Sequence, residues 1–77
     1  MIILSNGMKL HLNIFTHLKY VINDEEKVID LTQLDSEKLT NLFLLISQYT
    51  AFVLHNYSIK EHAVVYTRNI QAIRLFD

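Results

Sequence analysis

The sequence predicts a small α+β domain: an antiparallel sheet of hairpins with one helix packed on one face, in the order ββββαββ. Three observations carry this. An Asn6-Gly7 pair sits between apolar runs, period-2 alternation follows it, and an apolar spacing of three and four residues begins at Leu39.

Asn-Gly accepts positive φ at both central positions of a type I′ turn, so Asn6-Gly7 is the expected two-residue turn of a first hairpin. Its strands are expected at 1–5 and 8–15, where Met8, Leu10, Leu12 and Ile14 alternate with Lys9, His11 and Asn13. A second hairpin is expected from strands at 18–22 and 27–32, joined by the polar run Asn23-Asp24-Glu25-Glu26. The helix is expected at 36–56, because Leu39, Leu42, Phe43, Ile46, Val53, Leu54 and Tyr57 recur at helical spacing. Asp35 or Ser36 can cap its start, Glu37 suits the positive end of its dipole, and Asn56 is the expected left-handed stop. Strands at 63–67 and 70–76 follow, with Arg68-Asn69 as a tight turn or a bulge between them. An antiparallel sheet with the helix laid across it buries the apolar face of each.

Length and composition set the limits. A chain of 77 residues has room for one domain, and 51% apolar residues allow it to collapse. A core this small rarely supplies more than about 3–5 kcal/mol without help from disulfides, a metal or oligomerisation. The chain has no cysteine, which excludes disulfides and thiolate metal sites and leaves a histidine or carboxylate site, or self-association. A cytoplasmic location is the expectation from this composition. The apolar run Met1–Leu4 ends too early, at Ser5-Asn6-Gly7, for a secretion signal, and Leu39–Leu54 is too short and too polar for a membrane span. A net charge of −1 gives no pull toward nucleic acid, and the acidic stretch 24–37 is too weak a charge to mimic a nucleic-acid backbone. The lean toward Ile, Leu, Asn, Lys and Tyr, with one glycine and no proline, is a bias of AT-rich genomes, including those of phages.

No catalytic or cofactor constellation has specific spacing. A phosphate loop needs more glycine than Gly7 alone, and no His-Glu-x-x-His or calcium loop is present. Ser47, His55 and a carboxylate could be assembled into a nucleophilic set, but any chain with four histidines allows that. His11 is expected on a strand surface, His17 in a loop, and His55 and His62 around the helix end, where a cation is favourable. Neither a cofactor nor a metal is expected.

Two surfaces could bind something. Tyr66, Arg68, Asn69 and Arg74 offer a stacking face and planar forks for an anionic small molecule such as a nucleotide, with the site at a subunit interface. Leu42-Phe43-Leu44-Leu45-Ile46 is apolar around the whole helix circumference. Leu44, Leu45, Gln48 and Phe52 are therefore expected on a second, self-associating face, most simply of a homodimer. The expected function is that of a non-enzymatic interaction protein, a homo-oligomeric inhibitor or regulator of a partner protein of the phage accessory or anti-defence kind. The alternative is a nucleotide-sequestering protein.

Overall fold

The computed structural model describes residues 1–74 and has one α-helix and seven strands in two antiparallel sheets. In chain order these are β1 (Ile2–Leu4), β2 (Lys9–Leu10), β3 (His17–Ile22), β4 (Glu25–Asp30), α1 (Ser36–Ile46), β5 (Ala51–Asn56), β6 (Glu61–Tyr66) and β7 (Ile70–Ile73). The smaller sheet runs β2-β1-β7 and the larger β4-β3-β5-β6. The α+β class and the ββββαββ order hold in outline; the sheet is divided in two, and β5 is a strand more than expected. The part of the last expected strand that falls on 75–76 lies outside the described residues. Among the described residues, no helix is long and apolar enough to cross a membrane.

Each turn has a readable cause. The first hairpin closes with a three-residue loop, Ser5-Asn6-Gly7. Gly7 N–H donates to the Leu4 carbonyl at 2.9 Å and Leu4 N–H to that of Met8 at 2.9 Å. Gly7 alone takes positive φ, +87°, so the expected type I′ turn at Asn6-Gly7 is instead a loop with one left-handed residue at its end. The type I′ geometry belongs to the second hairpin, where Asn23 (φ 51°) and Asp24 (φ 62°) both turn left-handed and Ile22 pairs with Glu25. That places β4 two residues earlier than expected. β2 stops at Leu10 because β1 has only three residues to pair with; the chain then winds through a 3₁₀ turn at Leu12–Ile14 instead of continuing as a strand to 15.

The main correction concerns the helix. Asp35 caps it, its carboxylate accepting from Lys38 N–H at 2.9 Å, but α1 ends at Ile46 rather than running to 56. Ser47 turns its hydroxyl back to the Leu44 carbonyl at 2.8 Å, and a hydrogen-bonded turn follows. From Ala51 the burial alternates, with Phe52 and Leu54 inward and Val53 and His55 outward, the period-2 pattern of a strand. Phe52 is therefore a core residue, 1% exposed, and has no place on a self-associating helix face. Asn56 ends β5 in ordinary strand conformation, its side-chain amide donating to the Ile14 carbonyl at 2.7 Å.

The core is one cluster. Ile2 from the smaller sheet, Leu18, Phe52, Leu54 and Val65 from the larger, Leu42, Phe43 and Ile46 from α1, and Phe15 are all buried. Phe43 meets Phe52 edge to face at 6.3 Å, which seats α1 on β5. The 3₁₀ turn at Thr67–Asn69 lets the chain leave β6 for the smaller sheet, anchored by Thr67 Oγ1 donating to the Tyr49 carbonyl at 2.7 Å and by Ser5 N–H donating to the Asn69 carbonyl at 2.7 Å.

Two substitutions test this arrangement. Phe52→Ala removes a fully packed aromatic ring and should cost about 3–5 kcal/mol, enough to unfold a domain this small, whereas Leu44→Ala should change little. Equal effects in urea titrations would contradict the placement of Phe52. Gly7→Val forces a β-branched residue to positive φ and should cost about 1–3 kcal/mol; an unchanged melting temperature would contradict the loop geometry.

Candidate functional site

The larger sheet has an inner and an outer face, and the register assigns every side chain to one of them. Directly opposed residues of an antiparallel ladder share a face. On the inner side, Ile29, Leu18, Leu54 and Ala63 form a row against the core. On the outer side, two further rows cross all four strands. The first is Asp30, His17, His55 and His62; the second is Val28, Lys19, Val53 and Val64.

Three of the four histidines thus converge, while His11 lies apart, beside a cavity of about 300 Å³ between the 3₁₀ turns and α1. Tyr57 folds back from the loop after β5, its ring stacked on His55 (5.1 Å, 9°) and tilted against His17 (5.1 Å, 57°). His55 lies 6.0 Å from His62, and His17 Nδ1 is 2.7 Å from the Thr16 hydroxyl. The rings stand in a line along the row rather than around a point. Among the described residues, no three His, Cys, Asp or Glu side chains are arranged to hold a metal ion. Desolvation holds the His55 pKa below the ordinary histidine value, and Lys19, His62 and His17 act in the same direction against Glu26. At the row's end, hydrogen bonds from Thr32 lower the Asp30 carboxyl below its usual range.

The second row is apolar except for Lys19, whose stem lies between valines while its ammonium meets Glu26 at 2.7 Å. That hydrogen bond raises the Lys19 pKa. Val28 is 50% and Val64 55% exposed, and Val21 and Tyr66 are exposed on the same face. The signal for this surface was in the sequence. Ala51-Phe52-Val53-Leu54 and Ala63-Val64-Val65-Tyr66 are unbroken apolar runs, which read as strands apolar on both faces. The first also fits the expected helix, and the second carries Val64 and Tyr66 on its outward side.

The expected ligand cluster is only partly assembled. Arg68 lies over one face of the Tyr66 ring, 5.6 Å from its centroid, so the guanidinium and the ring are engaged with each other. Asn69 contributes its backbone carbonyl to Ser5 N–H and hydroxyl. Arg74 lies beyond the far end of β7, its backbone tied to Met1. Of the expected self-association residues, Leu44 (63% exposed), Leu45 (40%) and Gln48 do lie at the surface, and Phe52 does not. Ser47 and His55, possible members of a catalytic set, lie on different elements, and the Ser47 hydroxyl is engaged with the Leu44 carbonyl.

A second cavity of about 390 Å³ opens where β3 and β5 part company. Their pairing ends at Lys19 and Val53, and Tyr20 and Tyr49 stack across the opening at 5.6 Å. It is lined by Lys19, the two tyrosines, Thr50 and apolar residues, without a general base beside a nucleophile. Comparison with protein-family models, with curated proteins and with solved structures gives no match for this chain.

His55 makes stability depend on pH with a definite sign. A histidine whose folded pKa lies below its unfolded value contributes stability that is full above the unfolded pKa, near 6.5, and is lost as pH falls through the folded pKa. The urea midpoint should therefore drop between pH 7.5 and pH 5, and His55→Gln should narrow that drop. An identical drop in wild type and variant would contradict the assignment.

Proposed function

We propose that the chain is a non-enzymatic interaction protein, a homo-oligomeric inhibitor or regulator that works by covering a surface of a partner protein with the outer face of its larger sheet. The observation that carries this reading is the row Val28, Lys19, Val53 and Val64, with Val21 and Tyr66 beside it, on a sheet whose other face is the core: Val28, Val64, Val21 and Tyr66 are exposed, and Lys19 and Val53 are half-buried between them. Apolar patches of this kind, rimmed by polar groups, mark interaction sites. The rim here is the histidine row on one side and the Lys19–Glu26 pair within it. Leu44 and Leu45 on α1 form a smaller patch.

Magnitudes limit what the face does alone. Fully burying one valine from water contributes about 1.5–3 kcal/mol. The valines of this row are already about half covered, so the row supplies roughly 2–4 kcal/mol on that scale. Association costs about 4–15 kcal/mol in lost freedom. A partner must therefore add backbone hydrogen bonds or further contacts to bind firmly.

The test is capture from the native host by tagged wild type, by Val21→Glu with Val28→Glu, and by Leu44→Glu, each first shown to be folded by circular dichroism. The reading expects a protein retained by wild type and by Leu44→Glu and lost with the double variant. Equal retention by the double variant would contradict it. A nucleotide that raises the melting temperature of wild type but not of Arg68→Ala would favour a small-ligand function instead.

A further inference from the structure

We infer that β6 pairs with the β6 of a second copy of this chain, antiparallel about a two-fold axis through Val64. The inference extends the interaction reading by naming one partner, and it rests on the same larger sheet being left uncovered. β6 is an edge strand: it pairs with β5 on one side and with nothing on the other among the described residues.

The hydrogen-bond parity of that edge follows from one bond. Thr67 N–H donates to the Thr50 carbonyl at 2.9 Å, and these two positions continue the register Ala51 to Tyr66. In an antiparallel ladder, alternate opposed pairs exchange bonds. Counting back from Thr67 and Thr50, the bonded pairs are Val65 with Phe52, Ala63 with Leu54 and Glu61 with Asn56. The N–H and carbonyl groups of His62, Val64 and Tyr66 therefore point away from β5, toward the open edge. Buried without partners such groups are costly, and exposed in a row they are a template for another strand.

The two outer edges of the larger sheet differ. β4 carries Glu25, Glu26, Lys27 and Asp30, the charged pattern that blunts an edge. β6 carries one charge, Glu61 at its start, and then Ala63-Val64-Val65-Tyr66 without any. Its sequence is also self-complementary. A two-fold axis perpendicular to the sheet keeps both outer faces on one side, so the residues with free backbone groups must meet each other. Centred on Val64, the pairing sets Val64 against itself and His62 against the partner's Tyr66. These are three bonded pairs and about six hydrogen bonds, with an apolar contact at the centre and an aromatic pair at each end. Moving the centre one residue along, to Val65, sets His62 against Arg68, which lies in the 3₁₀ turn beyond the strand. Moving it the other way sets Tyr66 against Lys60, which is held at φ 57° in the loop beyond the strand. In the favoured register Lys60 faces Arg68 outside the ladder, where the loop and the 3₁₀ turn lead the two chains away from it. The valine row of one copy then continues through Val64 into that of the other, forming one sheet across the dimer with an outer apolar face twice as long.

The same parity supplies the test. Proline at position 64 removes an N–H that β5 does not use, so Val64→Pro should keep the fold and weaken self-association by about tenfold or more, read by sedimentation at micromolar concentration with circular dichroism as the fold control. The native chain has no cysteine, so Val64→Cys introduces a single thiol. At a two-fold centre it should form a symmetric disulfide dimer on mild oxidation, well ahead of Val28→Cys, which lies on the same face with similar exposure. Val64→Pro that associates like wild type, or Val64→Cys that cross-links no faster than Val28→Cys, overturns the inference; if Val64→Pro does not fold, the cross-linking comparison decides. A wild type that is monomeric at every concentration also overturns it, yet leaves partner capture by the Val21 and Val28 face standing, so the two failures are told apart.

Discussion

The rest of the structure depends on β5. Phe52 and Leu54 point from it into the core, where Phe52 receives Phe43 of α1 and Leu54 stands between Leu18 and Ala63. Strand alternation then fixes where Val53 and His55 must go. The residues that bury the helix and those that build the outer face belong to one six-residue segment. A slip of one residue would exchange the faces, exposing Phe52 and burying His55, so the register of the larger sheet is strongly held. A chain without disulfides that commits its largest side chains to one face of one strand has little material left to cover the other.

That constraint also explains which parts of the fold were legible in the sequence. Asp35 as the cap, the 3–4 spacing from Leu39 to Ile46 and the two N-terminal hairpins are local signals, and the structure has each of them, with shifted strand bounds. Two features differ from expectation for the same reason: a local pattern fits more than one geometry. Val53, Leu54 and Tyr57 continue a helical spacing from Ile46, yet Phe52 to His55 alternate as a strand, and the burial of Phe52 and Leu54 with pairing to β3 and β6 on either side decides between them. Asn6-Gly7 suits a type I′ turn, but the hairpin closes one residue longer, and Asn23-Asp24 takes that conformation. The division into two sheets was not legible at all, because it depends on 3₁₀ turns at Leu12–Ile14 and Thr67–Asn69 that redirect the chain through long-range bonds.

The candidate site was less legible than the fold, since it is made by register. His17, His55 and His62 lie far apart in sequence and become neighbours only when β3, β5 and β6 pair. Val28, Val53 and Val64 join for the same reason. Tyr66 and Arg68 are visible as a local pair and do meet, but on each other, the guanidinium over one face of the ring. The surface with free bonding capacity is backbone rather than side chain: the open edge at His62, Val64 and Tyr66, a feature sequence can show only once strand parity is known.

Residue-resolved amide hydrogen exchange along β6, followed across protein concentration, tests this account most directly. Ala63 and Val65, bonded within the chain, should exchange slowly at every concentration, while His62, Val64 and Tyr66 should pass from fast to slow as copies pair. Fast exchange of those three amides at all concentrations, or slow exchange of all five in dilute solution, would contradict it.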